Sequence, residues 1–116
     1  MRRRQAEERG RAGEQQAEDW LVEQGWSILD RRRKTKAGEI DLIARRPGLI
    51  AFIEVKWRAR VQDLGLAIDE RRLSRVAAAV AAIGHEYATC GEDMRIDVIL
   101  LAPGCTPDHI TNAWQP

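Results

Sequence analysis

Hydrophobic positions along this chain change period several times, and each change marks an element. Between Gly13 and Gln24, Ala17, Trp20 and Leu21 recur at helical spacing, and Gly25 is placed to end that helix in a left-handed conformation. Trp26 to Lys34 opens with Trp-Ser-Ile-Leu and closes in charges, which reads as a strand running into a turn near Thr35 to Gly38. Glu39-Ile40-Asp41-Leu42-Ile43 then alternates polar and apolar at first, the period of a strand with two unlike faces. After the tight turn marked by Pro47-Gly48, Leu49 to Val55 is almost continuously apolar, as a central strand covered on both sides would be. These two strands predict a hairpin. A polar stretch from Ala59 to Gly65 leads to a second helix from about Asp69, with Leu73, Val76, Val80 and Ile83 as its apolar stripe and Asp69 and Glu70 suited to its N-terminus. Arg95 to Leu101 is a fourth strand, and His109 to Trp114 a short fifth.

The element order is therefore α-β-β-β-α-β-β. A helix crossing between strands three and four predicts that this pair is parallel with a right-handed connection, within an α/β fold of one mixed sheet of about five strands and flanking helices. Residues 1–12, rich in Arg, Glu and Gly and without apolar periodicity, read as a flexible basic arm, and residues 13–116 as a single domain. A chain of 116 residues builds one core but not two. Its longest apolar run, Val76 to Ile83, falls far short of the roughly 20 residues that cross a bilayer. Arg2, Arg3 and Arg4 imitate the basic start of a secretion signal, but the polar stretch Gln5 to Asp19 follows where an apolar segment is required. A cytoplasmic protein with no membrane partner is expected.

Composition, 44% hydrophobic and 32% charged, is that of an ordinary globular chain, but the distribution of charge is not even. The net charge is +1, yet residues 1–68 carry fifteen basic and eleven acidic side chains, and residues 69–116 carry four and seven. Arg31, Arg32, Arg33, Lys34 and Lys36 lie together, Arg45 and Arg46 follow, and Lys56, Arg58 and Arg60 alternate. Such a surface suits a polyanion, although solvated strand ends and turns account for a basic cluster equally well. Cys90 and Cys105 are too few for a disulfide framework. With His85 and His109 they lack a Cys-x2-Cys knuckle, so zinc is not expected.

Alternation places the candidate chemistry on the hairpin. Glu39 and Asp41 share one face of strand two, while Glu54 and Lys56 share one face of strand three, with Ile53 and Val55 on the other. Around the Pro47-Gly48 turn, Asp41 and Glu54 fall on neighbouring strands at similar height. Carboxylates on a mostly buried sheet cost several kcal/mol unless they are paired or hold a cation. Mg²⁺ or Mn²⁺ takes one or two carboxylates and keeps waters for the rest, so Asp41 and Glu54 are candidate ligands with the main-chain carbonyl of Val55 as a third. Lys56 would stand beside them, to orient or deprotonate a nucleophilic water or to stabilise charge on a phosphate. Glu14 shares a helix face with Ala17, Glu18 and Leu21 and is a fourth candidate acid, though an acid early in a helix is also a good dipole partner. The plain alternative for the sheet residues is a structural salt bridge from Lys56 to Asp41 or Glu54.

Beyond these spacings, a set of blocks resembles a known family: Gly10-x-x-Gly13-Glu14-x-x-Ala17, Trp20-Leu21 with Gly25, Gly38-Glu39-Ile40-Asp41-Leu42-Ile43, Phe52-Ile53-Glu54-Val55-Lys56-Trp57-Arg58, Arg95-Ile96-Asp97-Val98-Ile99 and His109-Ile110-x-Asn112-Ala113-Trp114. In register over nearly the whole chain, they resemble the bacterial YraN family, which is largely uncharacterised and similar to the PD-(D/E)xK nucleases, in particular to archaeal Holliday-junction resolvases. The resemblance implies a restriction-endonuclease-like core, with Asp41, Glu54 and Lys56 at the catalytic positions and Glu14 at the acid of helix one. It implies a DNA partner and, by analogy with the resolvases, a homodimer. Arg32 stands where the family often has Asn, and Arg72 where it often has Lys. Trp57 is larger than the residue the family commonly has there; it could stack on an unpaired base, but the expected place is under helix two. Trp20, Trp26 and Trp114 read as core or core edge, and Asp97 as outside the site.

Two functions of different class follow. The first is a Mg²⁺- or Mn²⁺-dependent endonuclease acting on DNA, with branched DNA as one candidate substrate, through Asp41, Glu54, Lys56 and Glu14, with Arg31, Arg32, Arg33, Lys34, Lys36, Arg58 and Arg60 as nucleic-acid contacts. The second is a nucleic-acid-binding accessory protein that keeps the acidic cluster but does not cut, and a module docking an acidic protein stands behind both.

Overall fold

The computed structural model describes residues 2–60, 62 and 68–114, with side chains from Ala12 onward. Its elements are α1 (Arg2–Glu23), β1 (Ser27–Lys34), β2 (Glu39–Arg46), β3 (Leu49–Trp57), α2 (Glu70–Ile83), β4 (Asp93–Leu101) and β5 (Asp108–Ile110), in the order read from the sequence. The strands form one five-stranded mixed sheet in sequential order, antiparallel except for the parallel pair β3–β4 that α2 connects. This is the expected α/β architecture.

Helix α1 begins at Arg2, well before the Gly13 start that apolar spacing marks. Residues 2–12, expected as a flexible arm, have helical backbone because Arg, Gln, Ala and Glu are strong helix formers and Gly10 costs only about 1 kcal/mol. Apolar period identifies only the part of a helix that packs on something. Helix α2 begins where its cap predicts, with the Asp69 side chain accepting from Arg71 N. Strand β5 is shorter than expected; beyond it the Ala113 amide donates to Ile96 O at 2.7 Å and ties the tail to the sheet. Of the polar stretch before α2, residues 61 and 63–65 lie outside the described residues.

The helices cover opposite faces of the sheet. Leu73, Val76, Ala79, Val80 and Ile83 of α2 pack on Ile40, Ile43, Ile50, Phe52, Ile96, Val98 and Leu100. Ala17 and Leu21 of α1, with Trp26, pack on Leu42, Ala44, Ala51, Ile53, Ile99 and Leu101. Val55 and Trp57 join the α1 face. Trp57 is thus not under helix two: alternation puts it with Ile53 and Val55, and its Cβ lies 3.5 Å from where a Cβ on Gly13 would stand. Among the described residues no helix is long and apolar enough to cross a membrane.

Strict alternation fails twice: β1 bulges between Ile28 and Asp30, and a second break falls on β1 and β2 together. Ile40 faces α2 whereas Leu42 faces α1, so β2 changes phase at Asp41. On β1, Arg31 reaches Glu18 of α1, while Arg33 reaches Glu86 and Tyr87 on the other side. The residue between them, Arg32, has φ +49, in the left-handed region. Because Arg31 pairs with Leu42 and Arg33 with Ile40, Arg32 stands opposite Asp41 and the register is kept through the matched slip.

Candidate functional site

The β2–β3 ladder runs from Arg46↔Leu49 to Leu42↔Ile53 and stops there, so Asp41 and Glu54 occupy the next step, where the strands part. At that step the Val55 amide donates to Asp41 Oδ2 at 2.8 Å in place of a backbone acceptor. The phase slip is what turns Asp41 toward β3. Both acids are buried, Asp41 6% and Glu54 3% exposed.

Glu54 points to the α2 side of the sheet, as does Lys56 two residues on. Lys56 Nζ lies 3.7 Å from Glu54 Oε1, and the Arg72 guanidinium of α2 donates from Nε to the same oxygen at 2.5 Å. Glu54 Oε2 is buried and has no hydrogen-bond partner among the described residues. Glu54, Lys56, Asp69, Arg72, Leu73 and Val98 line a crevice too narrow for a water molecule. Burial pushes the Asp41 carboxyl up to about 7; the Val55 hydrogen bond opposes the rise, and the negative charges of Glu54 and Glu14 add to it. The influence of Glu14 places that α1 side chain close enough to matter, and its Oε2 lies 3.7 Å from Arg32 Nη1.

The residues singled out in the sequence therefore divide. Glu54 stands beside both Asp41 and Lys56 at the open end of the β2–β3 pair, and the charge of Glu14 in the α1 layer is felt at Asp41. Among the described residues no three His, Cys, Asp or Glu side chains converge as a ready metal site. A divalent cation here would rest on Asp41 and Glu54, a main-chain oxygen such as that of Val55, and water, a donor set that suits hard, oxygen-seeking Mg²⁺ or Mn²⁺. The orphaned Glu54 Oε2 and the raised Asp41 both fit that role, since each asks for positive charge.

The basic run is largely engaged in tying layers together. Arg31 pairs with Glu18 through two nitrogens, Arg32 with Glu14, and Arg33 with Glu86 and Tyr87. Arg45 pairs with Glu92, Arg46 covers Trp26 at 4.5 Å, and Arg58 donates to the Trp57 carbonyl. Lys34 and Lys36 are exposed at the β1–β2 turn. Asp97 lies on the other face, held by Arg95, His109 and Asn112, and takes no part in the site.

Arg72 is the residue whose place sequence reasoning missed. A signal was present: a cation in the first turn of a helix opposes the helix dipole, and such a residue needs an outside partner. Arg32 carried a comparable signal, because Asn, the residue the family often has there, adopts the left-handed region far more readily than Arg does.

Comparison with known proteins agrees with the resemblance read from the motifs. A family profile described as "Uncharacterised protein family UPF0102" matches residues 13–101. A UPF0102 protein of Erythrobacter litoralis is 63% identical over 116 residues, covering all of both chains. One of Sphingopyxis alaskensis is 51% identical over the same full length, and one of Rhizorhabdus wittichii is 50% identical over 114 residues, 98% of this chain and 97% of the relative.

Proposed function

The chain belongs to the uncharacterised family UPF0102, and from the chemistry of its sheet-end site we propose that it is a divalent-metal-dependent endonuclease that hydrolyses DNA phosphodiester bonds. The observation that carries this reading is the buried Glu54, with one carboxylate oxygen unpartnered among the described residues, beside a second buried acid and a lysine. Lys56 and Arg72 both approach Oε1, at 3.7 and 2.5 Å, so neither cation satisfies Oε2.

Hydrolysis breaks one phosphorus–oxygen ester bond: a water oxygen bonds to phosphorus, one of its protons leaves, and the departing sugar oxygen takes a proton up. Bound Mg²⁺ or Mn²⁺ would supply Lewis-acid polarisation of the phosphate. Asp41 and Glu54 would hold it, and the Val55 amide fixes the Asp41 carboxylate in its aim. The Lys56 ammonium offsets charge that develops on the phosphate and holds the attacking water by a hydrogen bond. Glu14 adds its negative charge at Asp41 from the α1 side and favours the cation further. The exposed Lys34 and Lys36, with Arg58 and Arg60, offer the approach to a phosphate backbone. A restriction-endonuclease-like core, a cytoplasmic location and a homodimer acting on branched DNA belong to this same reading.

The test is cleavage of labelled single-stranded, duplex, flapped and four-way-junction DNA with Mg²⁺ or Mn²⁺, run beside Asp41→Asn and Lys56→Ala. Cleavage that is at least about a thousandfold weaker in both variants is the expected outcome. Salt-sensitive binding of the panel without any nick, in wild type and variants alike, would favour a non-cleaving accessory protein instead.

A further inference from the structure

Arg72 and Glu54 form an ion pair of uneven character. The Arg72 side chain is 44% exposed, while its partner is 3% exposed, so the guanidinium sits at the mouth of the crevice and the carboxylate at its floor. Only Nε of Arg72 reaches Glu54, and only Oε1 receives it; Oε2 has no partner among the described residues. An arginine serving as a permanent structural partner normally uses its fork against both oxygens. Arg95 does so in this same protein, donating from Nε to Asp97 Oδ1 at 2.8 Å and from Nη2 to Oδ2 at 2.9 Å. Arg72 keeps its two Nη groups off the carboxylate and stands at the end of α2 where the dipole disfavours a cation. This one-nitrogen contact leaves the second carboxylate oxygen open to another cation.

We infer that Arg72 is a displaceable counter-ion: it neutralises Glu54 until a divalent cation takes the carboxylate, and the freed guanidinium then grips the phosphate of the bound strand. This deepens the nuclease reading and rests on it. A phosphate is the anion a released planar fork at the mouth of the crevice suits best, since two of its oxygens match two N–H donors. No bond is made or broken in the exchange; one cation replaces another on Glu54, and one anion replaces another on Arg72.

Two measurements on the full chain test it. First, Mn²⁺ alone is titrated into wild type, Arg72→Gln, Arg72→Lys and Glu54→Gln, and free Mn²⁺ is read by electron paramagnetic resonance. Removing the competitor should make Arg72→Gln bind Mn²⁺ about tenfold more tightly than wild type, while Glu54→Gln binds it far more weakly. Second, affinity for a phosphorothioate-linked duplex is measured by fluorescence anisotropy in EDTA and in saturating Mn²⁺. Arg72→Gln should weaken binding about fivefold with Mn²⁺ and little in EDTA, and Arg72→Lys should restore most of the loss. Glu54-dependent Mn²⁺ binding that Arg72→Gln leaves unchanged or weakens overturns the exchange and spares the metal reading. An equal loss of DNA affinity with and without Mn²⁺ also overturns it, because Arg72 would then be a constant basic contact. Mn²⁺ binding that is absent throughout, or indifferent to Glu54→Gln, overturns the metal reading and the exchange together.

Discussion

Asp41 and Asp97 are both buried aspartates on strands of one sheet, and their surroundings could hardly differ more. Asp97 is 0% exposed and receives donors from Arg95, His109 and the Asn112 amide, all at 2.8–2.9 Å. Burial alone would raise its carboxyl, but those hydrogen bonds prevail and hold it below the usual range. Among the described residues the Asp41 carboxylate accepts one hydrogen bond, from Val55, and it faces two further carboxylates as well as the Arg72 cation. Burial prevails there, and the carboxyl rises to about 7. A buried acid whose oxygens are filled by the protein is part of the scaffold; one left partly filled beside other acids is a place for something else to bind. Asp97 welds β4 to β5 and the tail. Asp41 ends the β2–β3 pair and leaves its charge available.

The contrast makes opposite predictions for the same substitution. Asp97→Asn should cost about 2 kcal/mol of stability at pH 7, because it leaves the half-buried Arg95 and His109 facing a neutral group at a fully buried position. Since the folded state lowers the Asp97 pKa, its carboxylate stabilises above the unfolded value near 3.8 and that contribution is lost as pH falls through the folded value. Urea unfolding should therefore show the cost shrinking below about pH 4. An Asp97→Asn protein as stable as wild type at pH 7 would erase the contrast.

Asp41→Asn should move stability the other way, by about 2 kcal/mol at pH 8 in EDTA. The folded state raises this pKa, so wild type binds more protons folded than unfolded between pH 4 and 7, and its stability falls as pH rises through that window. The advantage of the variant should shrink toward pH 4, where the wild-type carboxyl stays protonated in the folded state and is only about half ionised in the unfolded one. Urea unfolding at pH 4 and pH 8 decides it, and a variant less stable than wild type at pH 8 would make Asp41 a scaffold residue like Asp97.

A smaller effect sharpens the comparison from the neighbouring strand. Arg32 faces Asp41 with φ +49, and Asn tolerates that conformation better. Arg32→Asn should raise stability by about 0.5–1 kcal/mol even though it gives up a half-exposed pair with Glu14, and Arg32→Val should lower it by about 1–2 kcal/mol. Thermal melts of the two variants check the order, and Val melting above Asn would remove the strain at the Asp41 step.

Much of this was legible because hydrophobic period is a local property. Alternation on β3 correctly put Glu54 and Lys56 on one face, and the turn at Pro47-Gly48 brought Asp41 level with Glu54. The same rule misjudged two places. Trp57 was expected under α2, although its own period puts it on the α1 face. On β2, Ile40 and Leu42 face opposite layers because the strand changes phase at Asp41, and no period can announce its own interruption. The basic cluster was legible as composition only; that Arg31 and Arg33 reach acids on opposite sides of the sheet depends on the slip at Arg32.

The sequence by itself determined the elements, their order, the parallel β3–β4 pair and the identity of the acids and lysine, because these follow from side-chain period, turn chemistry and the reach of a crossover helix. Only the tertiary structure decided that β2 and β3 part at Asp41, that Glu54 keeps one oxygen without a partner among the described residues, and that Arg72 covers the other. Those depend on burial and on contacts between residues far apart in the chain, where desolvation and long-range pairing act, and neither is written in any local pattern.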